Sequence, residues 1–286
     1  MLHAPPRSRA ALLLLATLPM TAHAASSADP ADFATAWKAW HERREARLRE
    51  PEGWLALAGL HWLAPGPNRI EGLPGTFTLA GGRVSLSAAA SDGYALEGVP
   101  VVTRTLATDA TAKPDRLRLG ERTVQIIQRG DALAVRVWDA RSPARAACHG
   151  VPCFPPDPRW RIEARWEAYP APKAISIPAV AGPPQQGQAP GRAHFTVDGK
   201  ELTLEPTLED GDLFFVFRDA TSRTETYGAG RFLSAGAPQD GKVVLDFNRA
   251  VNPPCAFTPH ATCPLPEPYN VLPVRIEAGE KRAAEH

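Results

Sequence analysis

The clearest pattern in the chain runs from Arg159 to Tyr169, "RWRIEARWEAY". Trp160, Ile162, Ala164, Trp166 and Ala168 occupy one set of alternate positions; Arg159, Arg161, Glu163, Arg165, Glu167 and Tyr169 occupy the other. A period of two with apolar and charged sets kept apart predicts a strand with one packed and one wet face. Shorter runs of the same kind, broken by glycine turns, fill the chain from Thr76 onward. "TFTLAGGRVSL" and "RLRLGERTVQI" read as hairpins, "ALAVRVWDA" as a strand, and "HFTVDGKELTL" as a hairpin on an Asp-Gly turn. "DLFFVFRDAT" and "GKVVLDFN" read as two more strands. Residues 29–50 differ: Phe33, Trp37, Trp40, Arg44 and Leu48 share a helical stripe, with Asp29 suited to the cap, Pro30 to the first turn and Pro51 to the stop.

No regular alternation of strand and helix argues for a parallel sheet. The pattern predicts a mainly β fold: an N-terminal helix, then two antiparallel β subdomains, sandwich- or barrel-like, with a Pro-rich C-terminal cover. The expected boundaries are a docking helix at 25–51, a first β subdomain at 52–169, a linker at 170–191 and a second β subdomain at 192–286. The linker is assigned on its Pro, Gly and Gln content. Phe77–Leu86 also aligns without gaps on Phe195–Leu204, an echo that a duplicated hairpin would produce.

The start of the chain changes the expected compartment. Arg7 and Arg9 precede a short apolar run, and Ala22-His23-Ala24 carries small residues where signal peptidase reads. Residues 1–24 are therefore expected to be a signal peptide cleaved after Ala24, with a periplasmic or secreted product. Without it, 30 basic residues face 31 acidic ones. That near-neutral balance gives no electrostatic case for nucleic acid, and no later apolar run is long enough for a transmembrane helix.

Four cysteines, Cys148, Cys153, Cys255 and Cys263, read in an exported chain as two disulfides. The sequence-near pairing is Cys148–Cys153 with Cys255–Cys263, and two other connectivities stay open. Cys255, His260 and Cys263 lack the paired C-x-x-C spacing of structural zinc, so no metal and no cofactor is expected. No G-x-S-x-G elbow is present, and Gly228 and Gly230 in "YGAGRF" read as turn residues because no helix follows.

What remains is polar groups on strands and turns. In "KVVLDFN", Val243, Leu245 and Phe247 share one face, leaving Asp246 and Asn248 on the wet one, with Arg231 placed to pair with Asp246 across neighbouring strands. Tyr227, Asn252, Asn270 and Glu280 lie in flanking turns, and His61 stands in an apolar setting in "GLHWL". Asn252 and Asn270 are also suited to capping the Pro-rich loops through their amides.

These residues sit in blocks that resemble a known family. "GWLALAGLHWLAPGPNRI", "RVWD", "FRDATSRTETYGAGRFL", "VVLDFNRAVNPPCAFTPHATCPLP" and "LPVRIEAGEK" are similar to the domain-of-unknown-function family 1684 (DUF1684), over nearly the whole mature chain. The resemblance implies a domain type and carries no catalytic assignment. It places Asp219, Asp246, Glu280, Tyr227, Arg231, Asn248, Asn252 and Asn270 inside family-like blocks. Cys255 and Cys263 fall in its C-terminal block, whereas Cys148 and Cys153 read as a staple particular to this chain.

The leading functional expectation is a periplasmic or secreted binding domain for a small polar ligand held near Asp246, Asn248 and Arg231. A second is a hydrolase-like enzyme with Asp246 or Glu280 as general base and Arg231 stabilising an anion. A third is an envelope interaction protein with no small ligand.

Overall fold

A computed structural model describes residues 30–209 and 211–282. The expected signal peptide and Asp29 lie outside the described residues. The chain is mainly β, with helix α1 at Pro30–Leu48 and a single-turn α2 at Pro143–Ala147.

The first ten strands come before residue 140. They are β1 Leu57–Trp62, β2 Gly66–Ile70, β3 Leu73–Ala80, β4 Arg83–Ser87 and β5 Tyr94–Leu96. After these come β6 Val99–Pro100, β7 Thr103–Leu106, β8 Arg116–Leu119, β9 Arg122–Arg129 and β10 Ala132–Asp139. They form two open antiparallel sheets, ordered β1-β10-β9-β8-β5-β6 and β2-β3-β4-β7. Phe77, Val84, Leu86, Ile126, Val135 and their neighbours pack between them as one core.

The second half contributes β11 Arg161–Ile177, β12 Gln185–Val197, β13 Lys200–Leu204 and β14 Thr207–Glu209. β15 Asp212–Phe217, β16 Arg231–Ala235 and β17 Lys242–Asp246 complete it. Its sheets are ordered β13-β12-β11-β17 and β14-β15-β16. They close over a second core that includes Phe195, Phe215, Phe217, Leu245 and Phe247. A sheet must bury one apolar face, and each half does so separately. A smaller cluster of Ala56, Leu57, Trp138, Ala261 and Cys263 joins them.

Two expectations about organisation need correcting. Residues 170–191 are not a linker: β11 and β12 continue through them, pairing Lys173 with Ala189 and Ile177 with Gln185. Pro170 and Pro172 fall where the register shifts between Ala168 and Lys173, a place where a missing backbone N–H is tolerated. The "RWRIEARWEAY" strand also belongs to the second unit, because Arg161 to Arg165 pair with β17. The chain passes from one unit to the other between Asp139 and Arg161. The extended hairpin reaches back instead, stacking Gly182 against the Trp62 ring and donating Val180 N–H to the Cys263 carbonyl at 2.8 Å.

The hairpin echo does not survive at the level of register. Phe77 pairs with Leu86, but the aligned Phe195 pairs with Leu202 rather than Leu204. The similarity is that of two tight turns with alternating flanks.

Helix α1 docks on the second unit. Trp37 Nε1 donates to the Asn248 carbonyl at 2.9 Å, and Arg44 reaches the Glu280 carboxylate at 2.9 Å and the Asn252 carbonyl at 3.1 Å. Leu48 is buried with Leu55 and Val151 at its end.

Candidate functional site

The structure places the sequence-derived candidates in three separate surroundings. Arg231 does not pair with Asp246. It is buried under the second core, donating through Nη2 to Asp219 Oδ1 at 3.4 Å and to the Ile276 carbonyl at 3.0 Å, and through Nη1 to the Ala278 carbonyl. Its guanidinium also lies over the Phe217 ring, 5.2 Å from the centroid. Asp219 in turn accepts from Thr221 Oγ1 and, at 2.6 Å, from Ile276 N–H. Burial pulls the Arg231 pKa down while Asp219 pushes it back up. The turn before it requires Gly230, whose φ is +114° and whose added Cβ would sit 2.7 Å from the Phe217 carbonyl oxygen.

Asp246 sits at the end of β17, 3.2 Å from Arg249 Nε and accepting from Asn248 Nδ2 at 3.0 Å. Asn248 is not on a wet face. It is buried, because the strand turns into a 3₁₀ segment at Phe247, and its amide clamps Asp157, accepting from N–H at 2.9 Å and donating to C=O at 3.0 Å. The arrangement needed for Asp246 as base beside Arg231 therefore does not form.

The third group pins the C-terminal cover. Glu280 is fully buried; it accepts from Arg44 Nε and, at 2.6 Å, from Asn252 N–H. Asn252 Nδ2 donates to the Lys281 carbonyl at 2.7 Å, and Asn270 bonds both backbone groups of Glu205 at 2.9 Å. Tyr227 Oη donates to the Cys255 carbonyl at 3.0 Å, and burial pushes its pKa up. His61 lies in β1, opposite Val135; burial, and then the neighbouring His61 ring, lowers the pKa of His260 in the cover.

The cysteines divide. Cys255 and Cys263 form a disulfide with Cα atoms 6.2 Å apart, closing the cover. Cys148 and Cys153 are free thiols, contrary to the expected pairing. Cys148 caps the end of α2, whereas Cys153 bridges to Glu280 and places Sγ 3.3 Å from His41 Nε2. Burial, reinforced by Glu280, pushes the Cys153 thiol up to about 12, so it is not a thiolate nucleophile at neutral pH.

A polar cluster not anticipated from the sequence surrounds Glu205. Its buried carboxylate accepts from Arg192 at 3.1 Å, Lys173 at 3.3 Å and the Tyr169 hydroxyl. The donors satisfy the carboxylate, and the cluster ties β11 and β12 to the loop after β13.

A buried guanidinium with no acceptor among the described residues is that of Arg136, in the middle of β10, whereas Arg231 leaves only its Nε unpartnered. Its neighbours Val135 and Val137 face the first core, so Arg136 and Trp138 project toward the junction between the two units. Arg136 is 7% exposed. Its guanidinium lies over Trp54 at 5.8 Å and Trp138 at 5.7 Å, yet no carboxylate or carbonyl among the described residues accepts from it. Nε is buried without a partner, and so is the neighbouring Trp138 Nε1. Burial, then repulsion from Arg129, pulls its pKa down to about 10, which still leaves it cationic at neutral pH. The nearby Asp109 is engaged by Arg129 at 2.8 Å.

Arg136 lines a cavity of about 500 Å³ at this junction. Trp54 and the Gln128–Gly130 turn come from the first unit. Gln185, Gln186, Phe214 and Phe232 come from the second, and Ala261 to Pro264 of the disulfide-closed cover complete the lining. The Pro-rich segment thus covers a cavity at the junction and not the Asp246 face.

Residues 146–281 match the model of a family described as a protein of unknown function (DUF1684). This is narrower than the resemblance read from the sequence, and the blocks around Trp54 and Arg136 lie outside it. An uncharacterized protein of Haloarcula marismortui, solved by solution NMR, is 30% identical over 50% of this chain and 81% of that one, with a TM-score of 0.43. No curated protein matches the chain. Through its C-terminal half, the chain belongs to the DUF1684 family.

Proposed function

We propose that this protein is an exported binding protein for a small ligand carrying a carboxylate or similar oxyanion, held in the junction cavity with Arg136 as its counter-ion. The observation that carries this reading is the unpartnered Arg136 guanidinium. A buried charge without a partner costs several kcal/mol, on the order of 3–5, and proteins keep such groups where a ligand completes them. The position supports it as well, since ligand cavities of 300–1,000 Å³ commonly lie between structural units. The lining offers recognition groups, a guanidinium, amides and aromatic rings, and its sulfur is locked in the disulfide. That disulfide is consistent with export to an oxidising compartment.

The test is isothermal titration of the purified mature protein with acetate, citrate, galacturonate and inorganic phosphate, repeated on Arg136→Gln. At least one anion is expected to bind the wild type, with affinity falling about 100-fold in the variant, the value of a charge-assisted pair. No binding by any of the four at 10 mM, or equal binding by Arg136→Gln, overturns the reading.

A further inference from the structure

Three glutamine amides line the cavity beside Arg136, and the way they are held narrows the ligand class. Gln185 Nε2 donates to the Thr262 carbonyl at 2.9 Å, and Gln128 Nε2 donates to the Gly130 carbonyl at 3.0 Å. A carbonyl only accepts, so in both amides the NH₂ must be the end facing the protein. Gln186 Nε2 lies 3.2 Å from Ser176 Oγ. Among the described residues, no donor reaches the Oε1 of any of the three. The lining therefore combines two guanidinium groups, Arg136 and the Asp109-paired Arg129, with glutamine side-chain oxygens that can only accept. Trp54, Phe214 and Phe232 supply flat apolar surface between these groups, the last two packed edge-on with centroids 4.9 Å apart.

Resting on the carboxylate reading above, we infer that the ligand is a polyhydroxylated carboxylic acid of the uronic acid type. Its carboxylate answers Arg136, its hydroxyls donate to the glutamine carbonyls, and the C–H face of its ring packs on the aromatic surface. An α-amino acid fits less well. Its donors are concentrated in one ammonium, whereas the amide oxygens here are spread over β12 and the end of β9.

Calorimetric titrations of the full mature chain with D-galacturonate, D-galactose, L-alanine and acetate decide the matter. Galacturonate is expected to bind at least tenfold more tightly than any of the other three. Gln128→Leu and Gln185→Leu should each weaken galacturonate by about fivefold to tenfold, the value of one hydrogen bond, while leaving acetate unchanged. Gln128 is an exposed residue near the end of β9, so its variant tests the idea without disturbing the cover. Equal binding of acetate and galacturonate, or tighter binding of alanine, overturns the sugar-acid assignment and leaves the carboxylate site standing. Failure of every carboxylate overturns both.

Discussion

Two buried arginines separate the two kinds of polar burial in this fold. Arg231 is 1% exposed and Arg136 is 7% exposed, and each lies against an aromatic ring. Arg231 has a carboxylate and two carbonyls as acceptors, whereas Arg136 has none among the described residues. Burying a charge is tolerable when the protein itself supplies the acceptors, and that is the case at Arg231. On the function proposed above, where the protein withholds them beside a cavity, the missing acceptor describes the ligand. Near-equal burial thus has opposite meanings, and the count of acceptors decides between them.

The largest effect should come from breaking the satisfied pair. Asp219→Ala leaves Arg231 as an uncompensated buried charge and removes the acceptor for Thr221 and Ile276 N–H. A loss of about 3–5 kcal/mol is expected, read as a lowered urea midpoint at unchanged slope. A loss below about 1 kcal/mol would mean that Arg231 does not depend on Asp219, and the contrast with Arg136 would fail.

Arg136→Met should behave in the opposite sense. It replaces an unpaired buried cation by an apolar side chain of similar length, so the ligand-free protein should melt within about 1 kcal/mol of the wild type or higher. A gain in ligand-free stability coupled to loss of anion binding is the mark of a group retained for function. A destabilisation as large as that of Asp219→Ala would place Arg136 with Arg231 as a structural residue.

The difference between the two arginines also explains what could be read in the sequence. The β class, the N-terminal helix and the separate cores follow from side-chain periodicity, a local property that strand geometry enforces. Val243, Leu245 and Phe247 are buried as the alternation in "KVVLDFN" requires. The alternation stopped being informative at Asn248, where the backbone leaves the strand for a 3₁₀ turn. The sequence assigns Arg231 to Asp246, and the fold gives it Asp219 instead. Asp219 and Asp246 are both within reach in sequence, and only the pairing of β15 with β16 brings the Asp219 segment alongside. Arg136 reads as an ordinary strand residue inside "ALAVRVWDA", although it carries a signal. It is the one cation between apolar neighbours in a strand buried on both faces, but the second burial comes from the distant second unit. The hairpin through residues 170–191 reads as a linker in the sequence because its Pro, Gly and Gln content masks a pairing that depends on a partner strand.

The smallest effect is expected at Asp246, the residue the sequence favoured. Its partner Arg249 is 44% exposed at the side chain, and a solvent-screened pair of this kind is worth about 0–1 kcal/mol. In Asp246→Asn the side-chain oxygen can still accept from Asn248 Nδ2, so the clamp on Asp157 is retained. The variant should therefore melt within ~1 kcal/mol of the wild type and give an unchanged galacturonate titration. Normal melting with lost binding would return the site to the Asp246 face and deprive the unpartnered Arg136 of its role. An unchanged titration, beside the loss seen in Arg136→Gln, would fix the ligand at the junction, where the acceptor is missing.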